Sequence, residues 1–196
     1  MAGVRFTRRA LLGAAVAFGQ EQVVLPVYLV TDTRAKIAPE EMDGFSKKIW
    51  PEAVQDFLRA GIRIDAGRGM GEVRRTPSGR PVFAGLARGA INLVLTDRVP
   101  LLWDQGRGLA GVAARWDGYD LCVVAAGRAH GHLFPFVLVN TCVHELLHVL
   151  LRDIVEARPK GAEGSGREFL IDWYATRLWL FGDGRHIREL AAKYRP

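Results

Sequence analysis

Cysteine is scarce in this chain, with 2 in 196 residues, Cys122 and Cys142, and neither has a second cysteine at ligand spacing. That excludes a disulfide-stapled scaffold and a cysteine-type zinc site. Both thiols fall in apolar segments and are expected to be buried; a single bridge between them would need their Cα atoms within about 7 Å. No internal repeat or low-complexity tract is present, so a solenoid is excluded. The ten-residue apolar stretch from Ala10 to Gly19 is too short to span a bilayer. There is no basic stripe with interleaved aromatics, and Arg74-Arg75 reads as a solvated turn, so no nucleic-acid partner is expected.

The apolar fraction of 49% over this length implies one globular domain with a genuine core. The N-terminus stands apart from it. Arg5, Arg8 and Arg9 precede the apolar run with no acid among them, and Ala15-Val16-Ala17 offers a small-x-small cleavage site. Residues 1–17 are therefore expected to be a signal peptide. Thr7-Arg8-Arg9-Ala10-Leu11-Leu12 resembles the twin-arginine signal, which exports folded proteins and would cross the membrane only transiently. The expected location is periplasmic or extracellular, with residues 18–196 as the single domain. Removal of residues 1–17 takes three arginines from the formal charge of +6 and leaves a mildly basic protein.

Val23 to Thr31 reads as a buried strand and Pro39 to about Ala60 as an amphipathic helix stopped by Gly61. A second strand or loose hairpin is expected through Gly67, Gly69 and Gly71, from Ile62–Ile64 to Val73–Arg75. Ile91 to Thr96 is a strand, and Leu109–Trp116 and Asp120–Ala126 form a hairpin about Asp117-Gly118. The order predicts an α+β domain: a small mixed twisted sheet with helices on one side and one helix beneath it. Ala110 to Arg115 is the candidate edge strand, able to take an extended substrate by main-chain pairing or to serve as an ordinary paired strand.

The most informative stretch is His144-Glu145-Leu146-Leu147-His148, which is HExxH. It would arise by chance in roughly 0.6% of chains of this composition. It lies in an almost wholly apolar segment, from about Pro135 to Ala157, that reads as a core helix. Histidines four apart share a helix face, so both imidazoles can reach one cation. Buried in such a helix, they need a partner, and a divalent cation suits them. Glu145 lies about 100° round from His144, where a carboxylate can deprotonate a metal-activated water instead of binding the metal.

A catalytic zinc keeps three protein ligands and an open position. Glu168 is the candidate third ligand, on a second expected helix from Arg167 to Phe181, with Asp172 one turn further on to anchor an imidazole from behind. Asp153 and Glu156 are the competing donors; Asp153 faces the wrong way on an unbroken helix. His130 and His132 fall in a loop near the motif. Tyr174, Tyr119 and His132 are unranked candidates for binding an oxyanion.

With HExxH followed by Glu168 and Asp172, the chain resembles the gluzincin group of zinc metallopeptidases over about forty residues, Val137 to Ala175. Arg167 stands where thermolysin-like members carry Asn. The resemblance implies a zincin-like fold in minimal single-domain form, with Zn2+ as cofactor. His144, His148 and Glu168 would be its ligands, Glu145 its general base and Asp172 a supporting group. The expected function is zinc-dependent hydrolysis of peptide or protein substrates. The alternatives are a non-catalytic metal-binding module of the cell envelope and a zinc hydrolase acting on a non-protein amide.

Overall fold

The computed structural model describes residues 22–104, 109–126, 134–151, 171, 173–175, 178 and 184–195. They form an α+β fold around a curled six-stranded mixed sheet in the order β3-β2-β1-β4-β6-β5. The strands are β1 (Val23–Asp32), β2 (Ile62–Arg75), β3 (Pro81–Ala84), β4 (Ile91–Thr96), β5 (Gly111–Trp116) and β6 (Tyr119–Ala125). The helices are α1 (Pro39–Gly44), α2 (Trp50–Arg59), α3 (Leu101–Asp104), α4 (Phe134–Leu150) and α5 (Arg185–Lys193). β1, β2, β4 and β6 are mutually parallel, while β3 and β5 run antiparallel at the two edges.

The expected helix over Pro39–Ala60 is a single run in which the π-helical turn Phe45–Ile49 joins α1 to α2. Pro39 starts it without a missing bond, and the Glu41 carboxylate reaches back to accept the Ala38 N–H at 2.9 Å. One extra residue in the π turn keeps Phe45 and Ile49 buried on the same side as Trp50, Ala53 and Phe57.

The glycines of β2 are not a hairpin. β2 is one 14-residue strand, parallel to β1 as far as Gly71 and antiparallel to β3 from Glu72. A Cβ on Gly67 or Gly69 would run into the Tyr28 ring, and one on Gly71 into the Ala84 carbonyl and Val30. Glycine there serves close packing between neighbouring strands rather than a reversal of the chain. The β5–β6 hairpin forms as expected: Asp117 and Gly118 have φ of 50° and 81°, the pair of left-handed residues that matches strand twist.

Two apolar cores flank the sheet. The larger joins alternate residues of β1, β2, β4 and β6 to the helical run 39–59, α4 and α5. The smaller lies on the opposite face, where Trp103 of α3 stacks on Phe83 and meets Trp116 edge-on. Helices thus occupy both sides, with the longer ones sharing the first core. Ile171, Ala175 and Leu178 are helical and buried in that core. The remaining positions of the expected helix Arg167–Phe181, apart from Trp173 and Tyr174, lie outside the described residues.

Candidate functional site

α4 is apolar on nearly every side because it lies between sheet and helices: Leu138, Val139, Cys142, Val143, Leu146, Leu147, Val149 and Leu150 are all buried. One stripe is less covered and carries the polar groups. Val137 is exposed, while Thr141 and His144 are half-buried. The Thr141 hydroxyl donates to the Val137 carbonyl one turn back at 2.8 Å. His148 continues the stripe inward and is only 6% exposed.

The i, i+4 spacing brings the two imidazoles together. Their ring centroids are 4.6 Å apart, and the Nε2 atoms of His144 and His148 face each other at 2.9 Å. Two nitrogens each about 2.0–2.1 Å from one tetrahedral ion stand about 3.3 Å apart. The observed 2.9 Å separation is a few tenths of an ångström short of that spacing. As a donor set, two nitrogens of this type suit zinc.

Glu145 points to a different neighbour. It is 6% exposed and packs under the start of β5, where a Cβ on Gly111 would lie 2.7 Å from its Oε1 and 2.9 Å from its Cγ. β5 is the last strand in the sheet order, so the carboxylate sits directly beneath an edge strand. Gly111 was not singled out by sequence reasoning. The available signal was a lone glycine at the start of an expected strand, which marks close approach by another group.

Cys122 on β6 and Cys142 on α4 are free and buried in the larger core. Burial first, and then the Glu145 charge, push both thiols well above the usual range. They remain protonated packing groups, since a metal or a nucleophilic step would require thiolate.

Tyr119 packs into the smaller core on the far face of the sheet and does not approach α4. Tyr174 meets Trp173 edge-on at a centroid distance of 5.3 Å and lies tilted against His186 at 5.7 Å. Glu168, Asp172, His130, His132, Asp153 and Glu156 lie outside the described residues, as does the expected signal at 1–17. No helix among the described residues is long and apolar enough to cross a membrane.

No protein-family model matches the chain, and no curated protein or solved structure is significantly similar to it. Among the described residues, no group of three or more His, Cys, Asp and Glu side chains is arranged to hold a metal ion. The gluzincin resemblance is therefore corrected. That group is defined by three protein ligands plus a supporting acid, whereas the described residues provide two imidazoles. The rest of the resemblance is a five-residue motif that several kinds of hydrolase share.

Proposed function

We propose that this chain is a zinc-dependent hydrolase of peptide bonds, with His144 and His148 as ligands and Glu145 as general base. The single observation that supports it most is the pair of imidazoles on one face of α4, with their Nε2 atoms 2.9 Å apart, on the same helix as the Glu145 carboxylate buried beneath an edge strand. Glu145 and His148 are buried and His144 half-buried in an otherwise apolar helix, a setting in which a bound cation would balance the carboxylate charge. Glu168 is the proposed third ligand and Asp172 the proposed anchor of an imidazole. The finer fold reading that accompanies this is zincin-like, with the motif helix under a sheet whose edge strand runs antiparallel.

A zinc ion bound by the imidazoles supplies Lewis acidity, bringing the pKa of a water towards neutrality and polarising a substrate carbonyl. The chain's own groups carry the remaining work. Glu145 accepts the proton of the attacking water on its carboxylate and passes it to the leaving amine. The outward N–H and C=O groups of β5 hold an extended peptide by main-chain pairing, which places the scissile bond over Gly111 and Glu145. Neither thiol takes part. Residues 1–17 are proposed as an export signal, which would put the activity in the periplasm or outside the cell.

The test is hydrolysis of a mixed peptide library by the purified chain, before and after exhaustive chelation and after zinc is restored. Cleavage should disappear with the metal and return with it. Cleavage that persists without metal, or none under any metal condition, overturns the proposal.

A further inference from the structure

The sheet has a second open edge, at the end opposite β5. β2 pairs with β1 from Ile62 to Gly71 and with β3 only from Glu72 to Arg75. The Gly71 carbonyl accepts the Thr33 N–H on the β1 side, whereas the Thr76 N–H donates to the Arg80 carbonyl across the β2–β3 hairpin. Odd-numbered residues of β2 therefore turn their N–H and C=O groups towards β1, and even-numbered residues turn theirs outward. Among the described residues, no strand meets the outward groups of Ile62, Ile64, Ala66 and Arg68. The side chains of Arg63, Asp65 and Arg68 are exposed, as are Ala66 and Gly67. A bare edge of this kind is a template for a further strand.

The helix above this edge is uncovered on the same side. α2 belongs to the crossover from β1 to β2 and packs against both β2 and α4. Crossovers of this type are right-handed, which with the order β2-β1-β4 turns the flank bearing Asp56 towards α4 and the flank bearing Val54 and Leu58 towards the open edge. Burial agrees with that placement: Asp56 is buried, Val54 half-buried and Leu58 exposed. Counted from the turn at Gly61, at about 1.5 Å per residue on the helix and about 3.3 Å on the strand, Val54 and Ile64 both lie about 10 Å along.

We propose that this edge pairs antiparallel with the same edge of a second copy, in a two-fold dimer that joins the six strands of each copy into one sheet. Charge along β2 selects both the occupant and the register. A two-fold axis perpendicular to the sheet keeps each face on its own side, so odd-numbered residues meet odd and even meet even. With the axis at Ile64, Arg63 of each copy lies opposite Asp65 of the other, and Ile62 opposite Ala66. With the axis at Arg63 or Asp65, like charges face each other instead. With the axis at Ala66, the turn before Ile62 collides with β3 where it lies beside Glu72. Among the described residues, neither Arg63 nor Asp65 makes an ion pair or a side-chain hydrogen bond within its own copy. In the dimer the two α2 helices stand about two strand spacings apart, ~10 Å, which is a helix-packing distance. Val54 and Leu58 of one copy then cover those of the other. β5 stays free at both ends of the joined sheet, so the dimer is independent of the proposed hydrolysis.

The experiment is sedimentation equilibrium of the purified chain and of two charge reversals, Arg63→Asp and Asp65→Arg. The unaltered chain should form a reversible dimer with a dissociation constant of about micromolar order. Each variant alone sets like charges opposite each other and should dimerise at least tenfold more weakly, with circular dichroism unchanged because both positions are exposed. Mixed in equal amounts, the two variants should regain the affinity of the unaltered chain, since each then meets opposite charge. Ala66→Pro removes an outward N–H that no strand of its own copy uses, and should abolish the dimer. A chain that stays monomeric at ~100 µM, a dimer indifferent to either reversal or to Ala66→Pro, or a mixture no tighter than its parts each overturns the proposal.

Discussion

The roles of Glu145 and Gly111 can be separated experimentally. Glu145→Gln preserves shape and removes the base, so metal content should be unchanged while kcat falls by about 10²–10⁴-fold. His148→Ala should instead lose the metal, as measured by elemental analysis. A Cβ on Gly111 would press on Glu145 and, at 2.7 Å, on Thr141 Cγ2. Gly111→Ala should cost about 1–3 kcal/mol of stability and at least tenfold in kcat. Adding Thr141→Ser removes one of the two clashes, so it should recover part of the melting temperature and little of the kcat. Full recovery of kcat would show that Gly111 only provides packing room. Tyr194 tests the electrostatics away from the site. Its hydroxyl donates to Asp120 Oδ2 at 2.7 Å, and burial, followed by that bond and the Asp120 charge, pushes its pKa above the ordinary tyrosine range. With the folded pKa raised, this contribution is intact below the unfolded value near 10 and is lost as pH rises beyond it. Tyr194→Phe should lower stability at neutral pH by about 1–2 kcal/mol and flatten the alkaline limb of the denaturation curve.

Among the elements, the legible ones were those whose signal is local. β1, β4 and the β5–β6 hairpin carry apolar runs or the Asp117-Gly118 turn, and the helical run 39–59 has a proline start and a glycine stop. β2 was expected as either a second strand or a loose hairpin; the strand formed, and the hairpin alternative arose because its glycines look like turn residues in sequence. The cause is the Tyr28 ring for Gly67 and Gly69, and the Ala84 carbonyl with Val30 for Gly71, contacts between strands that no window on the chain contains. β3 escaped notice because four residues beginning with proline give almost no periodic signal. Replacing Gly69 with Val should therefore destabilise the sheet strongly, whereas Gly118→Ala, strained only at φ 81°, should cost about 1 kcal/mol. Urea denaturation of both variants checks the order; an equal cost would remove the packing explanation for the β2 glycines.

At the scale of the whole molecule, two cores back to back on one sheet make a rigid support, with the longer helices on one face and α3 on the other. The α+β class and mixed sheet were readable from element order. The two-faced covering was not, because it depends on which side each crossover takes. Of the site, HExxH and the pairing of its histidines followed from helix geometry alone. The contact of Glu145 with Gly111 joins residues 34 apart in sequence and needed the fold. A ligand that binds only the folded chain stabilises it by about 4 kcal/mol at a thousandfold excess over its dissociation constant. Zinc should accordingly raise the melting temperature of the chelated protein by roughly 10 °C.

The most direct measurement is anomalous diffraction at the zinc edge, on crystals of the chain purified without added metal. The account requires a peak about 2 Å from both the His144 and His148 Nε2 atoms. No peak between those nitrogens, with the rings hydrogen-bonded to each other as a closed pair, would contradict it.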